Sequence, residues 1–211
     1  MEITWLGHSS VCLNSRDVIL ITDPFDHSDG NSMSPQKADI VTISNKGQKY
    51  STLSSITGNP KVIEGPGEYE ISHFYVTGTG TSMGEEEDMG GDINTVYTIR
   101  AEGLVLCQIG ALSRRLTPTQ LDRLTQTHIL IVPISGEPAP QISFLQDIIS
   151  AVQPRILLPV QHGNNGQEGL EPPARFLAEI GVTDVSAPTN RINVTETNLP
   201  GEMRVNLLNR Q

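Results

Sequence analysis

Residues 38 to 50, ADIVTISNKGQKY, lead an apolar strand, Ile40-Val41-Thr42-Ile43, into a polar loop at the kind of position where hydrolases place metal ligands. The loop holds Asn45, Lys46, Gly47, Gln48, Lys49 and Tyr50, with neither histidine nor carboxylate among them. A catalytic zinc draws about three protein ligands from His, Cys, Asp and Glu, and this loop supplies none of them. Lys46 and Lys49 offer ammonium groups, which only donate hydrogen bonds, and Asn45, Tyr50 and Gln161 are neutral groups able to orient a phosphate or carboxylate. The chemistry of these residues is small-anion binding; the competing reading is two lysines extending into water from a surface loop.

The other chemistry-bearing side chains are scattered. His8 lies where the first strand meets a turn, and reads either as a pocket-lining side chain or as a hydrogen-bonded histidine fixing that turn. Asp23, in TDPF, either accepts hydrogen bonds near a strand-end site or caps the turn before Pro24. His162 follows Gln161, and adjacent strand positions face opposite sides, so it reaches a pocket only if the chain has already turned. His27, His73 and His128 have no partners at ligand spacing. Ser9 and Ser10 beside His8 suggest a serine nucleophile, but no Gly-x-Ser-x-Gly elbow is present. GTGTSMG lacks the lysine and following helix of a phosphate loop, and GEEEDMGGD lacks the alternating oxygen ligands of an EF-hand loop.

Bulk properties narrow the partners. The 211 residues include 14 basic and 24 acidic side chains, for a net charge of −10. That balance argues against nonspecific binding to nucleic acid or an anionic membrane. No stretch approaches the ~20 apolar residues that span a bilayer. The opening Met1-Glu2-Ile3-Thr4-Trp5-Leu6 alternates like a strand rather than a signal segment. Cys12 and Cys107 lie far apart in apolar strand contexts, which suits reduced buried thiols and a cytoplasmic protein.

The elements that must position these residues begin with strands at Glu2–Leu6, Ser10–Leu13, Asp17–Thr22, Asp39–Ile43, Lys61–Ile63, Tyr69–Thr77, Ile93–Arg100 and Leu104–Cys107. Glycine-rich connectors separate them, the longest running from Gly78 to Gly91. Helices follow: one opened by the capping box Thr117-Pro118-Thr119-Gln120, one over Pro140–Val152 with apolar residues at helical spacing, and one from Pro172 to Ile180 ended by Gly181. Strands His128–Val132 and Arg155–Pro159 alternate with them, which predicts an α/β sandwich whose helices cover sheet faces. Several apolar strands stop abruptly in polar loops, and in such sheets the ligand crevice lies beyond the strands' carboxyl ends.

In order along the chain, ITWLGHSSVCL, ILITDPF, ADIVTIS, VIEGPGEYEI, a glycine-rich loop, LVLCQIG and LLPVQHG resemble the small metallo-β-lactamase-fold proteins related to L-ascorbate-6-phosphate lactonase, described as zinc-dependent hydrolases. The resemblance covers nearly all of residues 1–211 as a single domain, excepting the last twenty or so, and implies a four-layer αββα sandwich with metals at the strand ends. Relatives follow the fourth strand with Ser-His-x-His-x-Asp-His. Here Ser44 remains, while Asn45, Gly47, Lys49 and Tyr50 stand at the histidine, histidine, aspartate and histidine positions. A Gly-Asp pair whose aspartate bridges the metals is replaced by Gly110-Ala111, and a late histidine by Gln161; Met83 lies where relatives carry a further histidine. A two-metal site needs a bridging carboxylate, and an ammonium cannot occupy a ligand position for a dication. Both aspartates have gone together with the histidines, so no uncompensated negative charge is left behind. The resemblance and its losses predict a metal-free, non-catalytic protein without cofactor, acting as a small-anion-binding or protein-interaction scaffold. Its vestigial pocket would comprise His8, Asp23, Asn45, Lys49, Tyr50, Gln161 and His162. The alternative is a weak or metal-independent hydrolase or lactonase.

Overall fold

A computed structural model of the chain describes residues 1–26, 33–47, 51–82, 93–136, 139–163, 170–183 and 185–211. The strands, in chain order, are β1 (Glu2–Gly7), β2 (Ser10–Ser15), β3 (Val18–Thr22), β4 (Gln36–Lys37), β5 (Ile40–Ile43), β6 (Ile56–Thr57), β7 (Lys61–Glu64), β8 (Gly67–Ile71), β9 (Phe74–Ser82), β10 (Ile93–Ala101), β11 (Leu104–Gln108), β12 (Ile129–Pro133), β13 (Ile156–Val160), β14 (Ile192–Asn193) and β15 (Arg204–Val205). Among the described residues they form one sheet of order β14-β1-β2-β3-β5-β7, a second of order β15-β13-β12-β11-β10-β9-β8, and a β4-β6 pair. Local turn chemistry sets the antiparallel parts. Arg16 and Asp17 both have positive φ between paired Ser15 and Val18, and Glu102 and Gly103 do the same between Ala101 and Leu104. These are two-residue loops whose twist matches that of the strands they join. β3-β5-β7 and β11-β12-β13-β15 run parallel.

The sheets pack face to face. Ile3, Trp5, Val11, Leu13, Leu20 and Ile40 of the first meet Phe74, Val76, Tyr97, Ile99, Leu106, Ile131 and Leu158 of the second. The second sheet's other face, Val96, Cys107, Leu130, Val132 and Leu157, is covered by helices α1 (Pro118–Asp122), α2 (Ile142–Val152) and α3 (Pro173–Glu179). Leu145, Ile148 and Val152 of α2 are buried at helical spacing, and the helix stops where Gln153 turns left-handed. Thr117 caps α1 in the box that its sequence specifies, with Pro118 in the first turn. On the first sheet's outer face, Leu6, Ile21, Val41 and Ile43 pack with Phe25, Met33 and Ala38. This is a mixed α/β, sheet-rich sandwich. Among the described residues no helix is long and apolar enough to cross a membrane.

Two strand expectations need correction. Tyr69–Thr77 is not one strand: the chain reverses at Ser72-His73, with Ser72 at φ 56°, so Ile71 pairs with Phe74. Gly78 and Gly80 are not loop residues but lie inside β9. They are glycine because the Gly65-Pro66 turn crosses over them. A Cβ on Gly78 would sit 2.8 Å from the Gly65 carbonyl, and one on Gly80 would sit 2.9 Å from Pro66 Cγ. The rest of that connector, with Met83 and the acidic run, lies outside the described residues, as does His27. The last twenty residues join both sheets, β14 pairing with β1 and β15 with β13, while Trp5 bridges Arg210.

Both cysteines are free, Cys12 half-buried and Cys107 buried. Burial raises their thiols to about 11 and about 12. The reactive species is the thiolate, so at pH 8 a disulfide-exchange reagent is expected to label neither cysteine in the folded protein and both after denaturation. Fast labelling of the native protein would contradict this packing.

Candidate functional site

At one end of the sandwich the two sheets are joined by direct hydrogen bonds. Gln161 N–H donates to the His8 carbonyl (2.9 Å) and Thr95 N–H to the Ser44 carbonyl (2.8 Å). The Gln108 amide nitrogen donates to the Asp23 carboxylate (2.6 Å). Each donor lies on the second sheet or at its strand ends, and each acceptor at a strand end of the first. Three non-glycine residues here are left-handed: His8 at φ 46°, Asp23 at 42° and Gln161 at 55°. Such a conformation costs each about 1–2 kcal/mol, and it persists only because the surrounding bonds impose it.

Asp23 follows β3 directly and is fully buried. Its carboxylate accepts from the Ser44 N–H (2.7 Å), the Ser44 hydroxyl (2.7 Å) and the Gln108 amide. It therefore holds the residue that opens the polar loop rather than its own turn. Burial outweighs these donors and pushes its pKa up to about 7. The oxygen of the Gln108 amide, also buried, finds no donor among the described residues. Rotating that amide would present this oxygen to a protonated Asp23.

His8, Gln161 and His162 meet around Trp5. The Trp5 indole N–H donates to the His8 carbonyl (2.8 Å), and the His162 ring packs on the indole with centroids 4.4 Å apart. Burial lowers the pKa of His162 to about 4, so it is a neutral ring near pH 7. His8 Nδ1 and the Ser9 hydroxyl lie 3.0 Å apart, but Ser9 is only 1 % exposed and has no open approach for a substrate. His73 bonds the Ser15 hydroxyl (2.8 Å), and His128 Nδ1 accepts from the Val105 N–H (3.0 Å), so both are tied into the fold.

Asn45 is buried and accepts from the Gly47 N–H (2.7 Å), closing a local turn, and Lys46 is exposed beside it. Lys49 and Tyr50 lie outside the described residues. Gly110 turns at φ 59°, and a Cβ there would meet the side chains of Asn94 and Ser44 at 2.5 Å. Ala111, fully buried, gives its N–H to Asn94 Oδ1 (2.8 Å).

The dinuclear site of the related hydrolases does not fit this donor set. Asn45, already committed to Gly47, replaces an imidazole; Gly47 and Ala111 have no ligating atom; Gln161 offers an amide. Among the described residues no three His, Cys, Asp or Glu side chains come together as a metal-binding group.

Four residues here escaped the sequence reading. Gln108 is the one polar residue of the apolar strand that it ends, a pattern that often marks a buried polar network, whereas Asn94 lies among the threonines of its strand and carries no such mark. Phe25 stands 5.6 Å from the His8 ring, and the Arg210 guanidinium lies over Phe25, 5.7 Å from its centroid. Nothing near Arg210 in sequence signals that placement.

Residues 2–161 match the model of a family described as the Beta-lactamase superfamily domain. No curated protein matches the chain. Among solved structures, a Thermotoga maritima protein of the metallo-beta-lactamase superfamily, proposed to be a Zn-dependent hydrolase, is 25 % identical with a TM-score of 0.80, covering 100 % of this chain and 99 % of its own. A metallo hydrolase from the archaeon Ignicoccus hospitalis is 12 % identical with a TM-score of 0.63, covering 92 % and 98 %. The isothiocyanate hydrolase from Delia radicum gut bacteria is 11 % identical with a TM-score of 0.63, covering 92 % and 99 %.

Proposed function

This chain belongs to the beta-lactamase superfamily, and from that premise we propose that it is a metal-free, non-catalytic member that binds a small anion at its strand-end rim. The observation that carries the reading is the residue set at the ligand positions, Asn45, Gly47, Ala111 and Gln161, which removes the ligand chemistry of a dication. His8, Asp23, Asn45, Lys49, Tyr50, Gln161 and His162 are the proposed vestigial pocket, with Lys46 and Lys49 supplying positive charge. Residues 1–211 act as one domain. The free thiols Cys12 and Cys107 favour the cytoplasm, and the net charge of −10 disfavours nucleic acid as a partner. The hydrolase descriptions of structural neighbours favour the second reading, weak or metal-independent hydrolysis.

Expressed with zinc, manganese and iron supplied, the protein is expected to purify without a stoichiometric metal, and its thermal unfolding should coincide with and without EDTA. Calorimetric titration should then detect phosphate or a small carboxylate in the millimolar range. Near one equivalent of tightly held metal lost on mutating the rim would sink the proposal. Turnover of lactone or ester substrates by protein stripped with EDTA would select the second reading.

A further inference from the structure

We propose that Arg210 is the residue that recognises the anion, taking an oxyanion (phosphate or carboxylate) at the rim beside Gly7, His8 and Phe25; this rests on the anion-binding reading above. Backbone bonds carry Arg210 to that place. It bridges Trp5 in parallel, the Gln211 N–H donates to the Trp5 carbonyl (3.0 Å), and the Asn209 N–H donates to Thr189 O (2.8 Å). The last residues thus continue along the edge of β1, past the two residues paired with β14, and set Arg210 against the strand end that carries His8.

The rim is shaped around this side chain. A Cβ on Gly7 would stand 2.7 Å from Arg210 Nε and 3.0 Å from Phe25 Cζ, and Gly7 has a φ of +112°. The left-handed φ calls for glycine, and the missing Cβ lets the guanidinium lie against the chain. Phe25 is 1 % exposed and the His8 ring packs beside it, so the stack Arg210–Phe25–His8 has a buried base and an exposed cationic end.

Stacking fixes the plane of the guanidinium, and the in-plane N–H fork is what matches a carboxylate or phosphate in two-point contact. A guanidinium has enough donors to hold an anion alongside the contacts it makes within the protein. Lys46, by contrast, is an exposed point charge on a flexible stem, with no packing to direct it. In a molecule of net charge −10 the general field repels anions, so capture favours a positioned cation over a solvated one.

The test is titration of the full chain with inorganic phosphate and, separately, with acetate, comparing wild type, Arg210→Gln, Arg210→Lys and Lys46→Ala. Wild type is expected to bind in the millimolar range. Arg210→Gln should weaken binding on the order of tenfold or more, Arg210→Lys should recover part of it, and Lys46→Ala should weaken it by less than Arg210→Gln does. Phosphate against acetate shows which oxyanion the fork prefers. Should Arg210→Gln unfold, the Arg210 Nε–H resonance of wild type must still shift during titration and saturate with the calorimetric constant. Binding by wild type that Arg210→Gln leaves intact, or an unmoved Nε–H signal, overturns this assignment and spares the anion-binding reading. No binding by wild type overturns both.

Discussion

With Asp23→Asn, the free energy of unfolding is expected to fall as pH is lowered from about 6.5 to about 4, while with His162→Gln it is expected to rise over the same interval. The signs come from two buried groups that titrate in opposite senses. Asp23 has a pKa near 7 when folded and 3.8 when free, so between those values the folded state binds the extra proton and is stabilised as pH falls. Its contribution is fully present below 3.8 and is lost as pH rises through about 7. His162 has a value near 4 when folded against 6.5 when free, so the unfolded state takes up the proton first. Its contribution is present above 6.5 and is lost as pH falls through about 4. Each slope is at most about 1.4 kcal/mol per pH unit, and in wild type the two oppose each other. Either replacement uncovers the other slope. Asparagine suits position 23 because its oxygen still accepts from the Ser44 N–H, while after rotation its amide can meet the Gln108 oxygen, which has no donor among the described residues. Urea unfolding at half-unit pH steps, taken as differences from wild type, cancels the carboxylates common to all three proteins. A flat difference curve for Asp23→Asn between pH 5 and 8 would show that its carboxyl is not held near neutrality.

The contrast between Asp23 and its partners shows what the sequence made legible. The order of apolar strands and the late helices were readable because side chains facing a core repeat with period two or near 3.6. Asp23 was marked by lying between an apolar strand and Pro24, but its partners lie 21 and 85 residues away. No local pattern connects Asp23 to Gln108; only closure of the two sheets does. Where a residue type serves long-range contact, local rules misread it. Gly78 and Gly80 look like loop punctuation, yet they sit within β9 because the Gly65-Pro66 turn passes over them. Ser72-His73 carries no glycine or proline to announce its turn, and Ser72 takes the positive φ itself.

The strand-end rim divides along the same line. Loss of ligating residue types at Asn45, Gly47, Ala111 and Gln161 was visible, since donor chemistry is a property of the residue alone. The backbone imposed on His8, Asp23 and Gln161 was not, because a left-handed conformation at a non-glycine residue depends on bonds made across the sheets. Arg210 is the extreme case: its place follows from the path of the last residues along β1.

Restoring one missing ligand alone should harm the protein. Ala111→Asp is expected to lower stability by about 3 kcal/mol or more at pH 8, and added zinc should not rescue it. Ala111 is fully buried, and its turn is anchored by Asn94, which accepts the Ala111 N–H and donates to the Ile109 carbonyl (3.0 Å). The same turn packs against Ser44, itself bonded to the Asp23 carboxylate. A new carboxylate would therefore enter a buried neighbourhood that already holds one acid, where no described group supplies the ligands of a compensating cation. Desolvation makes the charged form the costly one, so the defect should shrink as pH falls and the new acid takes up a proton. Ala111→Asn, of nearly the same shape but without charge, should cost less at pH 8 and show no such recovery. That pair separates charge from crowding. Equal losses for the two variants at every pH would mean that the aspartate is excluded by space, and a stable, zinc-binding Ala111→Asp protein would mean that the rim can still assemble a metal site.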